Sequence, residues 1–248
     1  MGEWMWIPRH GIVPLRAEPS HRSEQVSELL WGEPQQILDT YKNWVFVRGH
    51  LDGYSGWIEA GTLFQAYYDG SGWSLVQWRQ APLFHHRRQI GWVPLGSLFP
   101  ASGRWLAATG EYTVHPTALM EWHLQGFHLQ RWLPLFRGTP YRWGGKTPWG
   151  IDCSGFTQLL YRLTGRLLPR DAYQQAEITL AVKTPQVGDL VFFTSQGMSP
   201  ISHVGLYIGE STLLHATPAQ GISQVPLHHL YTHSFHSFRT YVAEDFVI

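Results

Sequence analysis

The 248-residue sequence predicts a multidomain chain: two small all-β barrels over residues 1–64 and 65–115, then an α+β domain over 116–248. Three observations carry this. A short motif recurs at a fixed offset in the first half, and strand-like runs alternate with turn signals around it. Near residue 117 the apolar spacing changes from that of strands to that of helices.

Gly56-Trp57-Ile58 followed by Gly61-Thr62-Leu63-Phe64 returns as Gly91-Trp92-Val93 followed by Gly96-Ser97-Leu98-Phe99, at an offset of 35 residues. Self-similarity of this kind signals two copies of one supersecondary unit. Before the first copy lie Leu29-Leu30, Gln36-Ile37-Leu38 and Trp44-Val45-Phe46-Val47, separated by turn signals at Gly32-Glu33-Pro34 and Asp52-Gly53. That is the rhythm of a small antiparallel barrel. The alternating run Trp73-Ser74-Leu75-Val76-Gln77-Trp78 precedes the second copy and marks a second barrel.

Residues 117–136 carry Leu119, Trp122, Leu129 and Leu133 at helical spacing, and Arg137-Gly138-Thr139-Pro140 ends the pattern. Ser154 to Leu163 forms a second amphipathic stretch, closed by Thr164-Gly165. Strand-like runs follow at 189–193, 203–208 and 212–216. Helices first and strands second predict an α+β arrangement.

Composition narrows the function. Hydrophobic residues make up 44% and charged residues 15%, a globular balance. The formal net charge is zero, which removes the electrostatic case for nucleic acid or an anionic membrane surface. Thirteen tryptophans either fill small barrel cores or line a groove for sugar or peptide. One cysteine excludes an intramolecular disulfide. Residues 1–6 have neither the basic nor the apolar stretch of a leader, and no apolar run is long enough to span a bilayer. The chain as written is expected in the cytoplasm, or in the periplasm or medium had a leader been trimmed.

That cysteine, Cys153, follows a glycine-rich loop (Trp143-Gly144-Gly145, Trp149-Gly150) and opens a helix for which Asp152 is a suitable N-cap. Alone, it would read as a small buried hydrophobe. At a helix N-terminus, unpaired N–H groups and the dipole favour a thiolate of lowered pKa and can donate to an oxyanion. Downstream, Gly188-Asp189-Leu190-Val191-Phe192-Phe193 reads as one strand and Ser202-His203-Val204-Gly205-Leu206-Tyr207-Ile208-Gly209 as another. Leu213-Leu214-His215-Ala216 follows a turn. Two histidines on adjacent antiparallel strands can face one side, so that His203 takes the thiol proton and His215 holds its ring.

These segments, with Pro140-Tyr141-Arg142-Trp143-Gly144-Gly145, resemble the NlpC/P60 family of cell-wall cysteine peptidases over about half the chain. The resemblance implies a papain-like catalytic domain with Cys153, His203 and His215 as catalytic set and Tyr141 near the thiol. The barrels then look like bacterial SH3-type domains. The order of domains is similar to that of γ-D-glutamyl-L-diamino acid endopeptidases that recycle free murein peptides. In that group a Leu-Pro-Arg-Asp segment, here Leu168-Pro169-Arg170-Asp171, supplies an aspartate for the substrate's free amino terminus. The resemblance assigns this role to Asp171, helped by a barrel tyrosine for which Tyr54 is the candidate. Glu28 is a weaker one, since a surface glutamate is usually just exposed. Ser154, Arg170 and Ser202, beside these residues in sequence, complete the expected substrate-binding set. A carboxylate next to a phenol would bind an ammonium group and disfavour N-blocked peptides.

The expected partner is a murein peptide with a free N-terminal L-Ala, cut by a monomer without cofactor. Alternatives are a wall-binding protein and an acyltransferase or amidase on the same scaffold. His85-His86 and the group His228, His229, His233 and His236 invite a metal reading, but no His-Glu-x-x-His and no second cysteine accompany them. No metal site is expected.

Overall fold

The structure, a computed structural model, describes residues 2–126, 128–194, 201–229 and 235–242. The chain divides into two units, Met1–Leu124 and Gln125–Ile248.

In the first unit β1 (Glu3–Pro8), β2 (Ile12–Arg16) and β3 (Gln25–Leu30) are followed by β4 (Gln35–Tyr41), β5 (Trp44–Gly49) and β6 (Ser55–Glu59). A single 3₁₀ turn leads into β7 (Leu63–Tyr68). Then come β8 (Trp73–Val76), β9 (Gln80–His85), β10 (Arg88–Pro94), β11 (Leu98–Pro100), β12 (Arg104–Ala107), β13 (Gly110–Thr113) and β14 (Leu119–Glu121). One sheet runs β10-β9-β13-β12-β7-β1-β4-β5-β6-β2-β3 and a smaller one β11-β8-β14.

Two cores underlie these sheets. Val13, Leu15, Leu29, Val47, Ile58 and Leu63 fill one, and Trp31, Val76, Leu83, Val93, Phe99 and Trp105 fill the other. The two halves of the sequence repeat fall into different cores: Ile58 of the first copy and Val93 of the second are both fully buried. The expected division at residue 64/65 is not clean. It cuts through β7, which pairs along its length with β1, and Ile7 and Trp31 belong to the second core. Tryptophan serves the expected core-filling use. Trp31 and Trp105 are wholly buried, the latter donating from Nε1 to the Leu98 carbonyl at 2.9 Å, whereas Trp4, Trp6 and Trp92 are exposed. Each buried indole removes enough apolar area to contribute about 4–6 kcal/mol of transfer free energy.

The helix expected over 117–136 does not form. Residues 116–118 make a 3₁₀ turn, with Ala118 buried in the second core, and β14 pairs with β8 through Leu119↔Val76. Among the described residues of that stretch only α1 (Leu129–Trp132) is α-helical, and Pro134 sits in the 3₁₀ turn after it. Sheet pairing overrode the local spacing, so the division between units falls after Leu124 and not at 115/116.

The second unit continues with a small hairpin, β15 (Lys146–Thr147) and β16 (Gly150–Ile151), then α2 (Cys153–Arg162) and α3 (Ala172–Glu177). Strands β17 (Leu180–Val182), β18 (Leu190–Thr194), β19 (Ile201–Tyr207), β20 (Thr212–Thr217), β21 (Gly221–Pro226) and β22 (Phe235–Thr240) complete it. Their order is β17-β22-β18-β19-β20-β21, with the last strand inserted beside β18. Every residue of α2 is buried, and Gly165, at φ +78°, takes the left-handed conformation just after it. Among the described residues no helix is long and apolar enough to cross a membrane.

Candidate functional site

Cys153 is the first residue of α2. Asp152 caps that helix through Oδ1, which accepts from the Gly155 N–H at 2.7 Å, while Oδ2 accepts from the Gly144 N–H at 2.9 Å. One carboxylate thus ties the glycine-rich loop to the helix start. The approach is close, because a Cβ on Gly155 would collide with the Gly145 carbonyl oxygen. Gly155→Ala is therefore expected to destabilise the protein by about 1–3 kcal/mol and to displace the loop. Thermal unfolding with circular dichroism checks this, and an unchanged midpoint would contradict it.

The backbone N–H groups of Ser154 and Val204 are directed at the Cys153 sulfur. β19 pairs with β18 from Leu206 back to Ile201, but with β20 only at Leu206↔Leu214 and Tyr207↔Leu213 among the described residues. The thiol reaches β19 at Val204, beyond that last β20 pair. The sequence predicts an acidic thiol, and the structure corrects this. Burial pushes Cys153 up to about 11, the Asp152 charge adds to the rise, and the two N–H groups and Arg170 only partly oppose it.

Strand alternation puts His203 and Gly205 on one face of β19. Gly205 lies against His215, since a Cβ there would sit 3.0 Å from His215 Cβ and 3.0 Å from the Leu214 carbonyl oxygen. The His215 ring then comes alongside that of His203, and His203 Nε2 and His215 Nδ1 are hydrogen-bonded at 2.9 Å. With Nε2 so used, Nδ1 is the His203 nitrogen left for a thiol proton. That requires His203 to donate from Nε2 and His215 to accept at Nδ1. Burial holds His203 down to about 4, with His215 lowering it further and Asp152 opposing; burial alone holds His215 at about 4. Thiol and imidazole therefore rest in their neutral forms.

Tyr141 forms an isolated parallel bridge with Ile151. Burial raises its phenol to about 12, with the Cys153 and Asp152 charges adding to the rise. Asp171, the N-cap of α3, enters a capping box in which its backbone N–H donates to Gln174 Oε1 at 3.1 Å; the residue is half-buried.

Most of the other expected residues have partners of their own. Arg170 is only 1% exposed, and its guanidinium donates to Asp152 at 3.1 and 2.6 Å and to Ser154 Oγ at 2.9 Å. It braces the helix start and is not a surface for substrate. The buried Ser154 hydroxyl is likewise committed to Asp152 and Arg170, which leaves its backbone N–H as the group directed at the sulfur. Ser202 is exposed and is skipped in the pairing of β19 with β18, which passes from Phe193↔His203 to Thr194↔Ile201. Tyr54, in the first unit, packs its ring against the first core, and its N–H donates to Asp52 Oδ1 at 3.0 Å. Glu28 is not exposed: it sits on β3 at 2% exposure.

Sequence reasoning missed Gln175, which is fully buried. Its Oε1 accepts from Thr157 Oγ1 at 2.7 Å, and its Nε2 donates to the carbonyls of Ser154 and Pro169 at 3.0 and 2.9 Å. It binds the segment before α3 to the first turn of α2, and a lone glutamine carries no local signal of that. Among the described residues no group of three or more metal-ligating side chains occurs. His85 and His86 both bond the Thr109 carbonyl, at 2.9 and 2.8 Å, and His233 lies outside the described residues.

Known proteins bear on this arrangement. The NlpC/P60 family profile matches residues 138–240, and that of the bacterial dipeptidyl-peptidase Sh3 domain matches 15–63. Dipeptidyl-peptidase 6 of Lysinibacillus sphaericus is 31% identical over 240 residues, covering 83% of this chain and 85% of its own. The gamma-D-glutamyl-L-lysine dipeptidyl-peptidase of Bacillus subtilis is 43% identical over 85 residues, 33% of this chain and 29% of its own. An NlpC/P60 family protein from Bacillus cereus, solved by crystallography, superposes with a TM-score of 0.82 over 97% of this chain and 100% of its own, at 21% identity. That likeness shows the shared fold. With a relative matched along most of both chains and a family profile spanning the cysteine and both histidines, the chain belongs to the NlpC/P60 family of peptidases, with a bacterial SH3 domain ahead of the peptidase domain.

Proposed function

We propose that this chain is a cysteine endopeptidase hydrolysing the γ-D-glutamyl-L-diamino acid bond of murein peptides that carry a free N-terminal L-Ala. The observation that carries the reading is the thiol at the start of α2, met by the backbone N–H groups of Ser154 and Val204, with His203, the neighbour of Val204 in β19, hydrogen-bonded to His215 at 2.9 Å. Cys153 Sγ attacks the γ-carbonyl as its proton passes to His203 Nδ1, and the carbonyl π pair moves onto oxygen. Backbone N–H groups at the helix start stabilise the oxyanion. Collapse breaks the C–N bond while His203 returns the proton to the leaving amine. Water, deprotonated by His203, then cleaves the thioester and restores the thiol. His215 keeps the His203 ring oriented and stabilises its protonated form.

Support for the substrate comes from relatives whose names specify γ-D-glutamyl-L-lysine dipeptidyl-peptidase activity, matched over 38% and 33% of this chain. In this reading Asp171 takes the substrate ammonium. The lobe around the second core is then a second SH3-type barrel, and the peptidase unit is papain-like. The test compares L-Ala-γ-D-Glu-L-Lys and its meso-diaminopimelate counterpart with their N-acetylated forms, following products by mass spectrometry. Cleavage of the free-amine peptides at least about 100-fold faster is expected, because an ammonium partner left unmatched penalises the blocked substrate. Equal cleavage would remove the amino-terminal recognition, and no cleavage of any would remove the substrate class.

A further inference from the structure

The buried ion pair behind the nucleophile is more than scaffolding. We propose that Arg170 is a positioning residue whose charge cancels that of Asp152 at the Cys153 sulfur, so that one carboxylate can cap α2 and anchor the glycine-rich loop without suppressing the thiolate. The proposal rests on the reading of Cys153 as nucleophile.

Asp152 is next to Cys153 in the chain and holds two backbone N–H groups, those of Gly144 and Gly155. A glutamine or asparagine could accept such bonds with no charge. The carboxylate adds a full negative charge at the place where a thiolate must form, and in a buried setting that charge is poorly screened. Arg170 meets it with a two-pronged contact, Nη1 to Oδ1 at 3.1 Å and Nη2 to Oδ2 at 2.6 Å, with side chains 1% and 7% exposed. Its third bond, to Ser154 Oγ at 2.9 Å, steadies the residue whose N–H faces the sulfur. Gln175 holds the same segment from its other side, through the Pro169 carbonyl at 2.9 Å.

Among the described residues the titratable and charged groups that bear on the site are Tyr141 from the loop before β15, Asp152 at the helix start, Arg170 before α3, His203 on β19 and His215 on β20. Both histidines are held neutral by burial and Tyr141 is held protonated. Asp152 and Arg170 are therefore the two standing charges of opposite sign at the thiol. Asp152 works to raise its pKa and Arg170 to lower it.

Cys153 is the only cysteine in the chain, so thiol alkylation reads this site alone. The experiment measures the rate of iodoacetamide alkylation against pH for the full chain and for Arg170→Met, Arg170→Lys, Asp152→Asn and the double variant Asp152→Asn/Arg170→Met. Arg170→Met is expected to move the midpoint up by about one pH unit, a tenfold loss of thiolate at fixed pH, and Asp152→Asn to move it down by a similar amount. The double variant, which leaves no unpaired buried charge, returns to within about half a unit of the parent; Arg170→Lys keeps the charge and the midpoint while losing the fork. Opposite shifts in the two single variants, or a shift of the stated sign in whichever of them folds, establish the role. If either single variant folds with the parent's midpoint, or the double variant departs by a full unit, the pair is structural only. Because no peptide enters this measurement, its failure is distinct from failure of the proposed substrate.

Discussion

Replacing Cys153 by alanine is expected to slow hydrolysis of a free-amine γ-D-glutamyl peptide by at least about 10,000-fold while leaving the fold in place. Without sulfur no thioester can form, and only binding and the helix-start N–H groups remain to act on a water molecule. Removal of a nucleophile from a unit that works together leaves residual rates of that order. Alanine fills nearly the same buried volume, so the thermal midpoint should move by no more than a few degrees. Product formation followed by chromatography, alongside a melting curve, reads both. A folded Cys153→Ala protein within tenfold of the parent rate would end the nucleophile assignment.

The second large effect belongs to His203. His203→Ala removes both the acceptor of the thiol proton and the donor to the leaving amine, and about a 1,000-fold loss in kcat/KM is expected. The parent's pH profile carries the same claim. Burial holds His203 near 4 instead of its ordinary 6.5, so the ring stays neutral and able to accept a proton through pH 5–6. The acid limb of kcat/KM should fall near pH 4, about two units below that of an exposed imidazole, and a limb centred near 6.5 would contradict it. Stability follows the same sign. In the unfolded chain His203 and His215 take up protons below 6.5, whereas in the folded protein they do so only near 4. Between those values the unfolded state binds more protons, so the melting temperature falls as pH drops through that window.

Much of the site could be read from the chain because its parts are short and locally determined. Asp152 as cap, Cys153 at a helix start and two histidines on successive strands follow from capping preference and strand alternation, and the 2.9 Å contact between the rings matches that reading. What escaped was set by distant partners. Residues 117–136 have helical spacing, yet Leu119 is claimed by Val76 across a sheet. The segment holding His236 became a strand inserted between β17 and β18, a pairing no local pattern announces. Arg170 reads as a substrate-binding residue until its fork is found locked on Asp152, and the thiol's position at a helix start says nothing about the burial that outweighs the dipole. Pair-specific burial is the common reason: it depends on which residues the fold brings together, and a one-dimensional pattern holds that only where a short motif carries both partners.

The most direct test of the central claim is to acid-quench the enzyme during turnover of L-Ala-γ-D-Glu-L-Lys and examine it by peptide mass spectrometry. An L-Ala-γ-D-Glu acyl group is expected on the Cys153 peptide and absent from Cys153→Ala, with complete loss of turnover once Cys153 is alkylated. Continued hydrolysis by the fully alkylated protein, with no adduct on that peptide, would contradict it.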